Sequence, residues 1–353
     1  MTNLFGEAPP RTLAVVPCAP VPGPYDYLVP DYGDADPLRP GTYVTVPLGG
    51  REVIGVVWGD GAGDVEPKRL KRIGTVLDLP PMTEAMRRFL VRAADYTMTP
   101  LGEMARLATR APQLAEPAPT KRVVLAGSMV LDKETRSRRK VLDRFRDLSD
   151  GRPDFSMTRM ELARAAEVGG AVVAAMIEAG TFREGFAPRD HAYRRLDPDR
   201  PRSALSEAQA EAAEILSTSV TARQFQTTLL HGVTGSGKTE AYLEAVAACL
   251  RSGRQALVLL PEIALTDSFL GRMEARFGAR PAEWHSAANG VERRRCWRAV
   301  AEGAAQVVVG ARSALFLPFR DLGLIVVDEE HDGGYKQEEG AIYHGRDMAV
   351  LRA

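Results

Sequence analysis

Two rhythms of apolar and polar residues divide the chain. Between 11 and 78 the runs are short and β-branched or aromatic: Leu13-Ala14-Val15-Val16, Tyr25-Asp26-Tyr27-Leu28-Val29, Tyr43-Val44-Thr45-Val46 and 53–58. Pro, Gly and Asp clusters separate them, which predicts strands. Pro47-Leu48-Gly49-Gly50-Arg51 predicts a hairpin turn between the last two. Several strands in so short a span predict a small barrel or curled sheet. Met86, Phe89, Leu90, Ala93 and Ala94 then recur at helical spacing, as one face of a helix packing on that sheet.

Beyond a proline-rich linker at 111–119 the rhythm is helical. Val141, Leu142, Phe145 and Leu148 give an amphipathic helix with a basic flank at 136–140. A second helix runs from Thr158 to Ala166, Gly169-Gly170 breaks it, and a third runs to Gly180 before a short strand at 181–183. That order is a winged-helix outline, a device that contacts DNA or a protein partner. A charged, proline-spaced connection follows. The four apolar runs after it, at 228–230, 256–260, 306–309 and 324–327, are nearly continuous, as in strands buried on both faces. Helical patterns between them predict a parallel α/β sheet.

Composition narrows this picture only a little. The 353 residues carry 46 Lys+Arg against 46 Asp+Glu, so any nucleic-acid binding must come from local patches. The cysteines, Cys18, Cys249 and Cys296, are far apart and form no C-x-x-C pair, which supports neither a disulfide framework nor a zinc site. No apolar run approaches the roughly 18 residues of a membrane span, and the N-terminus lacks a charged-then-apolar signal, so the expectation is a cytoplasmic protein without a membrane partner.

Chemistry enters at Gly232-Val233-Thr234-Gly235-Ser236-Gly237-Lys238-Thr239, which fits G-x-x-x-x-G-K-[ST] at every fixed position. Glycines let successive backbone N–H groups turn inward around a polyphosphate. Lys238 is placed for the β- and γ-phosphates, and the Thr239 hydroxyl for Mg²⁺. The apolar run before the loop and the helical pattern after it put the phosphates at a helix N-terminus. Some 90 residues on, Leu324-Ile325-Val326-Val327 leads into Asp328-Glu329-Glu330-His331. Here Asp328 is the expected Mg²⁺ ligand through water, and Glu329 orients or deprotonates the attacking water. Asp-Glu-x-His, with His331 as the fourth member, points to an ATPase stimulated by nucleic acid. Tyr335, Lys336, Tyr343, His344 and Arg346 follow, an interleaving of aromatic and basic residues suited to base stacking and phosphate pairing.

These words in this order resemble superfamily 2 helicases, and more closely the replication-restart helicases of bacteria. Further matches are 260–266, His285-Ser286, 309–316 and 343–347, and 25–30 with 46–49 is similar to the family's 3′-DNA-end-binding domain. Small departures are Ala311 and Gly345, where the family usually has Thr and Ala. The resemblance implies a multidomain α/β fold: a 3′-end-binding, β-barrel-like domain at 1–110, a winged helix at 120–187, a linker at 188–203 and a RecA-like P-loop lobe at 204–353. It implies ATP and Mg²⁺ as cofactors, with Gln209 reading adenine alongside Gly232, Thr234, Gly235, Ser236 and Gly237. Ser206-Glu207-Ala208-Gln209 is equally a helix capping box. It implies that Arg312 contacts a DNA phosphate. It further implies that Tyr25, Asp26, Gly49 and Lys71 hold a 3′ end, with Asp26 accepting from the 3′-hydroxyl; in the alternative, Asp26 caps a turn.

The function so implied is that of an ATP-dependent 3′-to-5′ helicase acting at replication forks, with branched and single-stranded DNA, primosome proteins and single-stranded-DNA-binding protein as partners, near the bacterial nucleoid. The second helicase lobe and its zinc-binding insertion are expected beyond this chain, which reads as an N-terminal fragment, weak or inactive alone. The rival readings are a fork-binding module that holds ATP without productive turnover, and a P-loop ATPase that is no helicase.

Overall fold

The first strands form because their β-branched residues alternate inward and outward across a curved surface. β1 (Thr12–Pro17), β2 (Tyr25–Leu28), β3 (Tyr43–Leu48), β4 (Arg51–Asp60) and β5 (Lys71–Arg72) make a sheet in the order β3-β4-β1-β2-β5. Gly49, at φ +61°, sits in the two-residue turn between β3 and β4, a backbone conformation that suits glycine. Past β5, Ile73 N–H donates to Leu28 O at 3.0 Å, while Gly74 and Leu77 N–H donate to Thr45 O and Tyr43 O at 2.8 and 2.9 Å. One stretch thus bridges the two edges, and the sheet curls on itself around Leu13, Val15, Tyr27, Val44 and Val57. α1 (Glu84–Thr97), capped by the Thr83 hydroxyl, buries the predicted face, and α2 (Leu101–Ala108) follows.

The computed structural model describes residues 11–31, 38–152, 155–188, 190–201, 204–233 and 235–353. They fall into two units, Met1–Pro117 with Ala192–Ala353, and Ala118–His191. The second unit holds β6 (Thr120–Ala126), α3 (Arg136–Ser149), α4 (Arg159–Ala165), α5 (Gly170–Glu178) and β7 (Phe182–Pro188). Its core is Val124, Val141, Phe145, Leu162, Val173, Met176 and Phe182. The three helices lie where the sequence places them. β6 was not expected: it begins Thr120-Lys121-Arg122, and only Val123 and Val124 in it are buried. It pairs antiparallel with β7 along its whole length, from Thr120↔Pro188 to Ala126↔Phe182.

After α6 (Glu207–Thr221) and α7 (Lys238–Arg251) come β8 (Gln255–Leu259), α8 (Asp267–Phe277), β9 (Ala282–Trp284), α9 (Gly290–Glu302), β10 (Val307–Gly310) and β11 (Leu322–Val327). The four strands are parallel, in the order β11-β8-β10-β9. A short hairpin, β12 (Lys336–Gln337) with β13 (Tyr343–His344), and α10 (Gly345–Arg352) complete the chain. Alternate residues of β8 enter two cores. Ala256 and Val258 meet Val246, Met273 and Phe277, whereas Leu257 and Leu259 belong with Trp297 and Phe316. β9 escaped the sequence reading because three residues, Ala282-Glu283-Trp284, are too few to show a period.

One expectation meets a different arrangement. The run at 228–230 forms no strand; Leu229 is 74% exposed, and a cavity separates the segment from β11. An apolar run becomes a strand only where a neighbour offers a ladder, and β8 is the only described strand that pairs with β11. The described residues of 11–110 and 204–353 lie in one unit and share a core. The Tyr43 and Trp297 rings meet edge to face at 5.7 Å, and Trp297 Nε1 donates to Ala108 O at 2.7 Å. Arg298 donates to Asp78 O and Glu116 O at 3.2 and 2.9 Å. Helix α9 therefore joins the curled sheet to the parallel one.

Candidate nucleotide site and DNA-facing loops

The phosphate loop leads into α7. Gly237, at φ +82°, precedes the helix, and a Cβ there would stand 2.0 Å from Gln209 Nε2, so glycine is required twice over. Lys238 folds back, its Nζ donating to Gly232 O at 2.8 Å and Val233 O at 3.3 Å. Gly235, Ser236 and Thr239 lie along the same loop and first helical turn; Thr234 lies outside the described residues. Gln209 uses both ends of its amide. Its Oε1 accepts from Ser206 N–H at 3.0 Å, completing a capping box on α6, and its Nε2 donates to Ser236 O at 3.0 Å.

β11 delivers Asp328, whose N–H donates to Leu259 O at 3.0 Å and so extends the ladder by one residue. The carboxylate accepts from Tyr242 O–H at 2.9 Å through Oδ2 and from Glu329 N–H at 3.0 Å through Oδ1. Tyr335 O–H donates to Asp328 O at 2.6 Å. Burial first, then the nearby acidic groups, raises both phenols, so each keeps its proton and remains a donor. Glu329 has φ +46°, a left-handed conformation that costs a non-glycine residue about 1 kcal/mol. Its Oε2 stands 3.7 Å from His331 Nε2.

Lys238, Tyr242, Asp328 and Glu329 all line one cavity of about 1080 Å³. Among the described residues no group of three or more His, Cys, Asp or Glu could cage a metal. The Thr239 hydroxyl and the Asp328 carboxylate supply oxygen donors of the kind that Mg²⁺ takes.

The parallel sheet brings its loops together at the strands' C-terminal ends, as such sheets do. Glu262, after β8, accepts from Ser286 N–H at 3.2 Å, and Trp284 Nε1 donates to Ser313 Oγ at 3.1 Å. Glu262 was not singled out in the sequence; the Ser286 hydroxyl above all holds its carboxyl below the usual range. Arg312 turns its guanidinium to the hairpin, donating to Gln337 Oε1, Gly334 O and Lys336 O at 3.0, 2.6 and 2.7 Å. Tyr335 and Tyr343 are buried, the latter with its ring 5.3 Å from Phe316. His344 caps α10, accepting from Arg346 N–H. Lys336 pairs with Glu338 at 2.7 Å, and Arg346 with Glu330 at 2.8 Å and Asp347 at 3.3 Å.

On the curled sheet, Tyr25 is 40% exposed while Tyr27 is buried, its hydroxyl donating to Pro47 O at 3.2 Å. Lys71 lies beside Tyr27 in the β2–β5 pairing. Asp26 accepts from Ala62 and Gly63 N–H at 3.1 and 2.9 Å, across 36 and 37 residues of chain; each oxygen keeps a further lone pair. No described helix is long and apolar enough to cross a membrane.

Two family models match separate stretches of the chain. A family model for the PriA 3′DNA-binding domain (3′BD) matches residues 14–110, and one for DEAD/DEAH box helicases matches 206–349. The replication restart protein PriA of Haemophilus influenzae is 33% identical over 362 residues, covering 97% of this chain and 47% of that protein. Its Chlamydia pneumoniae counterpart is 32% identical over 339 residues, covering 93% and 44%. The Bacillus subtilis protein of the same name is 37% identical over 199 residues, covering 55% and 24%. The chain thus spans less than half the length of these relatives. With a 3′DNA-binding segment followed by a DEAD helicase segment, it belongs to the family of replication restart proteins PriA.

Proposed function

We propose that this chain binds ATP with Mg²⁺ and branched DNA bearing 3′ ends, as part of an ATP-dependent 3′-to-5′ helicase of replication restart and primosome assembly. One observation carries the reading: Lys238, Asp328 and Glu329 line a single cavity within the unit that also holds the curled sheet. In this reading Lys238 exchanges the carbonyls of Gly232 and Val233 for phosphate oxygens, and the loop N–H groups donate to the same anion. Thr239 and Asp328 hold Mg²⁺, which neutralises phosphate charge when bound. Glu329 orients water, with His331 beside it, and Gln209 spans the adenine side and the loop.

On the DNA side, Tyr25 offers a ring for stacking, Lys71 a cation for phosphate, Gly49 a close turn and Asp26 its remaining lone pairs for a 3′-hydroxyl. Arg312, Lys336, His344 and Arg346 ring the loops beyond the sheet. Tyr335 and Tyr343 serve stacking only after leaving the core. The winged-helix role of 120–187, primosome proteins and single-stranded-DNA-binding protein as partners, and a place at the bacterial nucleoid follow from the family alone.

A second reading keeps nucleotide binding and drops turnover. In it the chain is a fork-binding module that holds ATP without productive turnover. A stabilising arginine supplied from elsewhere is worth about 10³–10⁵ in rate for such sites. ATP-analogue affinity and hydrolysis with and without forked DNA, in the 353-residue chain and in Lys238→Ala, separate the outcomes. Weaker analogue binding in the variant is expected; unchanged affinity would remove the phosphate loop from the reading. DNA-stimulated turnover supports the motor, and fork binding without stimulation supports the module.

A further inference from the structure

We infer that Tyr242 is a positioning residue for the magnesium site, its hydroxyl holding the Asp328 carboxylate in one orientation opposite Thr239. The inference rests on the ATP and Mg²⁺ reading above and deepens it.

Three observations carry it. Tyr242 stands three residues after Thr239 on α7, so the two side chains share one face of the helix's first turns. Its body is 5% exposed and belongs to the core against β8 and β10, so the ring has almost no freedom to move. Its hydroxyl alone reaches polar groups, donating to Asp328 Oδ2 at 2.9 Å and lying within hydrogen-bonding range of Thr239. The ring is thereby a rigid strut between the two oxygen donors proposed for Mg²⁺. Glu329 N–H holds the other carboxylate oxygen at 3.0 Å, so rotation about the Asp328 side chain is resisted from both sides. Outer hydrogen bonds of this kind orient ligands and tune metal affinity.

A plain packing role makes a different demand. A buried tyrosine needs some acceptor, and Asp328 would serve merely as one. Tyr242→Phe keeps the ring and removes only the strut. The experiment titrates Mg²⁺ into the full chain with a fluorescent non-hydrolysable ATP analogue, for the parent, Tyr242→Phe, Asp328→Asn and the double variant. The half-saturating Mg²⁺ concentration is expected to rise about 10-fold in Tyr242→Phe, while analogue affinity without Mg²⁺ is unchanged. In the Asp328→Asn background the second substitution should add nothing, because the group it positions is gone. Overlapping Mg²⁺ curves for parent and Tyr242→Phe would overturn the inference, as would an equal effect in both backgrounds. If the parent itself binds the analogue without responding to Mg²⁺, the magnesium reading fails first and this inference falls with it.

Discussion

β8 and β11 are neighbours in one sheet, yet they live in different surroundings. Every residue of β8 is buried, with α7 and α8 on one face and α9 with the curled sheet's helices on the other. Every residue of β11 is only half-buried, and its outer side meets the cavity that separates it from 225–230. Both strands are equally apolar in sequence. The difference teaches that hydrophobic pattern selects what can be buried, while covering elements decide what is buried. It also assigns labour: the closed side sets position, and the open side presents Asp328, Glu329 and the phosphate loop.

The sharpest way to break this contrast is through its spine. Trp297→Ala should cost about 3–5 kcal/mol, because it empties a fully buried site and leaves Ala108 O without its donor. Denaturant unfolding monitored by circular dichroism would show it, and a loss below 1 kcal/mol would mean that the two sheets do not depend on α9. Next comes a matched pair. Leu257→Ala on β8 should cost about 2–5 kcal/mol and Leu324→Ala on β11 clearly less, since its side chain already meets solvent. Equal losses by the same method would erase the distinction.

Hydrogen exchange sharpens the comparison without a substitution. Amides of 257–259 should exchange only by large-scale opening, whereas 225–230 should exchange close to the free-chain rate, having no ladder. Comparable protection by mass spectrometry would show that 225–230 is paired after all. The smallest effect belongs to Glu262, which ties the loop after β8 to Ser286. Its folded pKa lies below its unfolded value, so its stabilisation is present above the ordinary glutamate range and is lost as pH falls through the folded value. Glu262→Gln should therefore shift acid unfolding slightly, by about 0.5 kcal/mol or less, and leave stability at pH 7 to 9 offset by a constant. A variant curve diverging only above neutral pH would contradict this.

Much of the site was legible because its chemistry is local. Gly237 leads into α7 and an apolar strand ends just before Asp328, as their spacing predicts, although the strand expected before the glycine loop does not form. The apolar face of the 14-residue α1 and the Gly49 turn were legible for the same reason. What stayed hidden depends on residues far apart in the chain. Tyr242 reads as one more apolar position on α7, and only the fold sets its hydroxyl 86 residues away against Asp328. Arg312 reads as a cation free for phosphate, yet the hairpin 22 to 25 residues on supplies three acceptors for it. The shared core of the first strands with α9 is likewise invisible to periodicity, which reports a buried face but not its partner.

The pairing of Thr120 with Pro188 has a consequence for how the chain is assembled. Residues 118–191 depart on β6 and return on β7 side by side, so this stretch is an excursion whose entrance and exit coincide. A segment wired in this way can be lengthened, exchanged or replaced by a short turn while the flanking chain keeps its path. Trp297, Tyr43 and Ala108 all lie outside that excursion. The stretch is therefore the natural place for a reporter or for exchange between relatives, because it is entered and left through one ladder.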